Sequence, residues 1–109
     1  MALLKGTLDV LVLKALSWAP MHGFEITRWI EERSAGHLEV DDGALFQALH
    51  RMEERGLLAA EWGVTEKGRR ARYYRLTNAG KAHLKAETAA LTDYVDALTT
   101  ILAMRSAEG

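Results

Sequence analysis

The sequence predicts a mainly α chain with one small β-hairpin, an α+β class, on three observations. Apolar residues recur at helical spacing through three segments of the first half. Two short runs then flank a turn that holds Gly68. The last third is one long helical pattern with leucines every seven residues. At 109 residues and 49% apolar, the chain has the size of one domain with a real but small core.

Composition removes several classes of function. With no cysteine there is no disulfide frame, no thiolate nucleophile and no cysteine metal site, which suits a reducing, cytoplasmic setting. No segment reaches the roughly 18 apolar residues that span a bilayer. The apolar start carries Lys5, Asp9 and Lys14 and lacks the order of a signal peptide, so no membrane partner is expected.

Residues 4–17 read as the first helix. Leu4, Leu8, Leu11 and Ala15 form one stripe, and Val10, Leu13 and Leu16 widen it. A helix apolar on most sides asks for cover on most sides, more than one small domain supplies. Pro20 and Gly23 break the pattern. A second helix, from about Gly23 to Ser34, sets Ile26, Trp29 and Ile30 on one face, with Gly36 as its left-handed cap.

The third helix opens at Val40-Asp41-Asp42, capped by Asp41 or Asp42, and runs to Arg55 with Gly56 closing it. Leu45, Ala48, Leu49 and Met52 share one face. Gly43, Gln47, His50 and Glu54 lie opposite, and Phe46 and Arg51 occupy the flanks. A slim start and outward hydrogen-bonding groups suit a groove-reading helix, although an ordinary amphipathic surface helix has the same pattern.

Residues 57–64 and 71–76 read as strands joined by a basic turn over 65–70. Tyr74 and Leu76 fall on one face, Tyr73 and Arg75 on the other. Thr77 caps a last helix from Asn78 to Met104, ~40 Å long at 1.5 Å per residue. Leu84, Leu91 and Leu98 form its heptad, with Val95 and Leu102 beside them and Tyr94 and Ile101 adjacent. An apolar stripe longer than its own domain asks for a second copy of the chain. Leu4, Leu8, Leu11, Leu84, Leu91, Tyr94, Val95, Leu98 and Leu102 are therefore the expected homodimer surface.

A net charge of −1 argues at first against nucleic acid, but the total hides its distribution. Residues 1–64 hold six basic against ten acidic residues. Residues 65–80 hold Lys67, Arg69, Arg70, Arg72 and Arg75 against Glu66 alone. Charge runs are often no more than solvated loops. On an acidic body, and with screening beyond about 8–10 Å, such a spike also suits phosphate contact.

Three helices followed by a hairpin with a basic tip make a winged helix-turn-helix, with the third helix as the reader. Residues 1–80 would be its DNA-binding part and 81–109 a dimerisation helix, within one continuous structural domain. Here the sequence resembles the PadR-like transcriptional regulators, and most of all their short form from acidobacteria and related bacteria. The matching stretches are KGTLDVLVLKAL at 5–16, PMHGFEI at 20–26, GALFQALHRMEERGLL at 43–58 and RRARYYRLTNAG at 69–80.

The resemblance implies a homodimer on operator DNA, with the last helix crossing to the partner. It also implies repression relieved by a small aromatic effector. Two departures stand out. Phe46-Gln47 replaces a Tyr-Pro pair of the family, which implies a different or looser operator. About Leu91 stands where drug-binding relatives carry a tryptophan.

Arg69 and Arg70 are the expected phosphate contacts, with Lys67 and Arg72 beside them and Arg75 left to pair within the domain. Gln47 is expected to read a base, since a side-chain amide pairs bidentately with adenine. His50 and Arg51 either touch phosphate or stand in water. Phe46 packs under the helix or touches a sugar. Trp29 and Trp18 are assigned to the core and Trp62 to the base of the wing. An alternative role for Trp18, with Leu91 and Tyr94, is a pocket for the effector.

His22, His37, His50 and His83 show no metal-ligand spacing, and each reads as a cap or surface residue. No nucleophile, base and orienting acid come together, so neither an enzyme nor a cofactor is expected. The expectation is a sequence-specific regulator of double-stranded DNA, a homodimeric repressor on a pseudo-palindromic operator. The alternative is a winged-helix ligand-sensing or protein-interaction module with weak or no specific DNA binding.

Overall fold

In the computed structural model, which describes residues 1, 3, 4 and 6–107, six elements follow one another. They are α1 (Thr7–Leu16), α2 (Gly23–Arg33), α3 (Asp42–Glu54), β1 (Leu58–Val64), β2 (Arg70–Leu76) and α4 (Asn78–Leu102). Lys5 of the first predicted helix, and Glu108 and Gly109 of the predicted C-terminal segment, lie outside the described residues.

Helix α1 starts three residues later than the apolar pattern predicts. Gly6 stands at its N-cap with φ +88°, a left-handed conformation that a helix cannot pass through. Leu4 is therefore off the helix and 81% exposed. The buried residues of α1 are Val10, Val12, Leu13, Ala15 and Leu16. Leu8 and Leu11 are half-buried at the edge of the core.

Local caps set the other helix ends. His22 and Glu25 form a reciprocal box at the start of α2. The Glu25 N–H donates to His22 Nδ1 at 3.4 Å, and the His22 N–H donates to Glu25 Oε1 at 3.1 Å. Gly36, at φ +78°, turns the chain out of α2 while its N–H donates to Glu31 O at 2.8 Å. Asp41 caps α3 by accepting the Ala44 N–H at 2.9 Å. Thr77 caps α4: its Oγ1 accepts the Gly80 N–H at 3.0 Å and donates to Gly56 O at 2.6 Å.

The core gathers Leu13 and Leu16 of α1, Ile26 and Ile30 of α2, Leu45, Leu49 and Met52 of α3, and Leu58, Tyr74 and Leu76 of the hairpin. Strands β1 and β2 are antiparallel, in register from Leu58↔Leu76 to Val64↔Arg70. The link between α1 and α2 adds a bridge that no spacing foretold. Met21 and Tyr74 exchange backbone hydrogen bonds of 3.1 and 2.9 Å, which fastens the outer edge of β2.

Two tryptophans depart from the expected positions. Trp18 is 67% exposed, because it follows the last turn of α1 and points away from the core. Trp62 is 61% exposed and does not pack at the base of the wing, because the apolar face of the hairpin outruns the helices that cover it. Trp29 is half-buried against the core, with the Arg33 guanidinium 5.3 Å from its ring centre.

Helix α4 ends at Leu102, two residues short of the predicted Met104, and 25 residues make it ~37 Å long. Only its first turns touch the body, through buried Gly80 and half-buried Leu84. Past Leu84 every position but Leu91 is exposed, and the molecule is drawn out to 61 × 28 × 21 Å. The stripe is therefore divided. Leu84 packs on its own core, while Tyr94, Val95, Leu98 and Leu102 lie open. No helix of the described residues is long and apolar enough to cross a membrane.

Candidate nucleic-acid interface

Helix α3 has three kinds of surface. Leu45, Ala48, Leu49 and Met52 anchor it in the core. Its outward face holds Gln47 and His50, both exposed, with the His50 Nε2 3.0 Å from Glu54 Oε1. Each flank is held by a carboxylate–guanidinium pair. On one side the Arg51 Nη2 donates to both oxygens of Asp9, at 2.6 and 2.7 Å, tying α3 to α1. On the other, Arg72 of β2 makes two hydrogen bonds to Glu53, at 3.0 and 2.8 Å, tying the hairpin to α3. Phe46, 58% exposed, stands beside Gly23 at the start of α2.

Those pairs divide the predicted cations into two groups. Arg51 and Arg72 are engaged within the chain. Lys67, Arg69 and Arg70 are exposed and, among the described residues, have no carboxylate at ion-pair distance. Their turn is firmly built. Thr65 N–H donates to Arg69 O at 2.8 Å, Gly68 N–H to Thr65 O at 2.9 Å and Arg69 N–H to Thr65 Oγ1 at 3.2 Å. Gly68 supplies the φ of +77° that this turn requires.

The even-numbered face of the hairpin looks toward α3. From base to tip it carries Leu58 and Leu76, Ala60 and Tyr74, Trp62 and Arg72, then Val64 and Arg70. Arg70 lies over the indole of Trp62, 4.6 Å from its centre, and Arg72 lies 5.9 Å from the centre of the Tyr74 ring. On the opposite face Tyr73 covers Gly63, where an added Cβ would come within 2.8 Å of the phenol ring.

Sequence reasoning named Gln47, His50, Phe46 and the turn cations, and all of them are exposed. It missed the holding roles of Asp9 and Glu53, whose partners lie 42 and 19 residues away. It also missed the exposure of Trp62.

A second concavity, a cleft of about 370 Å³, is lined by Leu16, Trp18, Pro20, Arg75, Lys81 and Leu84 among others. It includes Trp18 but neither Leu91 nor Tyr94, so a single chain does not bring those three together. Arg75 is exposed at this cleft and, among the described residues, makes no ion pair within the domain. The described residues hold no cluster of three or more His, Asp or Glu fit for a metal ion.

A core-anchored third helix with a free outward face, and a basic hairpin tied to its flank, define a winged helix-turn-helix protein. The transcriptional regulator PadR-like family matches residues 12–86 of the chain, and the chain belongs to that family. It is 39% identical over 66 residues to the transcriptional regulator Rv3488 of Mycobacterium tuberculosis, a stretch covering 60% of this chain and 61% of that protein.

Two solved structures extend the likeness. The first is a PadR family transcription regulator from Clostridium difficile R20291, with a TM-score of 0.76 at 27% identity. The match covers 89% of this chain and 99% of that one. The second is Bacillus subtilis PadR in complex with operator DNA, with a TM-score of 0.67 at 18% identity. That match covers 75% of this chain and 47% of the other, and it shows the shared fold. The protein is thus a winged-helix transcriptional regulator.

Proposed function

We propose that the chain acts in the cytoplasm as a homodimeric repressor that binds a pseudo-palindromic operator in double-stranded DNA. In this reading residues 1–80 bind DNA and residues 81–109 join the two copies. One observation carries it: three unpaired cations, Lys67, Arg69 and Arg70, stand at the tip of a hairpin fastened to the flank of α3. An acidic chain that concentrates free cations beside a free helix face has built a phosphate grip next to a groove reader. The Bacillus subtilis fold relative is seen on operator DNA, which supports the same use here.

Each α3 would enter one major groove, with the two half-sites about 34 Å apart. Gln47 reads a base edge, His50 stands beside it, and Phe46 meets a thymine methyl or a sugar. Arg51 and Arg72 hold the reader in place from its flanks. A Gln47→Ala variant is expected to change sequence preference, costing about 1–3 kcal/mol at the preferred base. Competition binding against operators mutated one position at a time measures this. A uniform loss across all sites would remove Gln47 from base readout.

The open stripe of α4 supports the dimer. Leu98→Glu, placed among exposed Tyr94, Val95, Ile101 and Leu102, is expected to give a folded monomer of half the mass in sedimentation equilibrium. A variant that stayed a dimer would move the interface elsewhere.

The Trp18 cleft favours an effector reading beside the DNA one. An exposed indole flanked by Arg75 and Lys81 suits a small aromatic compound. Titration of such compounds should quench the emission of the wild-type chain and spare that of Trp18→Phe.

A further inference from the structure

Trp62 is an expensive residue to leave in water. Its face of the hairpin begins in the core with Leu58, Leu76 and Tyr74, then continues outward into Trp62 and Val64, both exposed. The same face carries Arg72, bonded twice to Glu53 of α3, so it is held toward the reading helix. The Arg70 guanidinium carbon lies over the indole, 4.6 Å from its centre. A guanidinium held over an indole can still turn N–H groups toward a phosphate. The patch is therefore apolar at its centre and cationic at its rim, from Arg70 on β2 to Lys67 and Arg69 in the turn.

The chemistry complementary to that pattern is the wall of a nucleic-acid groove, where apolar deoxyribose faces run between rows of phosphates. An apolar protein surface offers no use for the unpaired cations, and a membrane would draw in more apolar area than one indole and one valine.

We infer that Trp62 is a DNA contact: its indole packs against deoxyribose beside the groove that α3 reads, adding affinity that does not depend on salt. The inference rests on the DNA-binding reading above. It differs from the grip of Arg69 and Arg70, which acts through counterion release and fades as salt rises. Sugar packing displaces water from apolar surface and persists in high salt.

The wild-type chain, Trp62→Ala and Trp62→Phe are to be titrated with mixed-sequence genomic duplex DNA across a range of salt concentrations. Trp62→Ala is expected to bind about tenfold more weakly at every salt concentration, the size expected from losing part of an indole's apolar burial. The slope of affinity against salt should stay unchanged, and Trp62→Phe should recover most of the loss.

A chain carrying Trp18→Phe and Trp29→Phe leaves Trp62 as its one tryptophan. Saturating duplex should quench its emission and shield it from acrylamide. Wild-type affinity in Trp62→Ala, or a Trp62 equally open to acrylamide with and without bound DNA, would overturn the contact while leaving DNA binding intact. A wild-type chain that bound no duplex would overturn the DNA-binding reading together with it.

Discussion

A chain with Arg69→Ala and Arg70→Ala will bind every duplex more weakly, by roughly ten- to a hundredfold near physiological salt. The physical reason is counterion release. Each cation that meets a phosphate frees condensed ions from the duplex, and the two arginines have no carboxylate in the described chain to give up first. The plot of log affinity against log salt should become shallower by about two, since the slope is about −0.9 per contact. Mobility shifts on operator and on unrelated DNA should show the same loss, because phosphates carry no sequence. An unchanged salt slope would remove the hairpin turn from the interface. Replacing Arg51 in the same way tests a different thing. Its bonds run to Asp9, so the loss should reach stability and the seating of α3 before it reaches phosphate.

Gly80→Ala will lower the unfolding midpoint by about 10 °C or more, reversing the sign that helix propensity gives. In an open helix the exchange of glycine for alanine gains about 1 kcal/mol. Here an alanine Cβ would stand 2.1 Å from the Leu57 carbonyl oxygen and 3.3 Å from Leu76 Cδ2. That oxygen cannot drift away, since it accepts the Thr77 N–H at 3.1 Å and so joins the end of α3 to the start of α4. Relief would mean moving the first turn of α4, at a cost of at least about 2 kcal/mol. Ala89→Gly, on the exposed part of α4, is the control, with an expected cost of about 1 kcal/mol. Thermal unfolding at one fixed protein concentration measures both, because a dimer's midpoint moves with concentration. A Gly80→Ala midpoint at or above the wild-type value would show that α4 is not seated on Leu57.

What was legible in the sequence was local. Asp41, Thr77, Gly36 and Gly56 mark helix ends by rules that act within a few residues, and each acts at its helix end. The heptad leucines and the two alternating runs gave the length of α4 and the pairing of the hairpin in the same way. What escaped was set by distance or by where cover ends. Asp9 and Arg51 meet across 42 positions, and no spacing rule reaches that far. Trp62 alternates in phase with Leu58 and Ala60, so periodicity assigns it to the inner face. The pattern names the face but not the point at which α3 stops covering it. Gly6 leaves no mark on the pattern, because a single glycine inside an apolar run keeps the period intact while stopping the helix.

The flank bonds of α3 have a consequence for how such a regulator changes its targets. Asp9 and Glu53 hold the helix by its sides, and the core holds it from beneath. The outward positions, Gln47 and His50, bear almost none of the structural load. If those two sites read bases as proposed, single substitutions there would change the letters recognised and leave the fold intact.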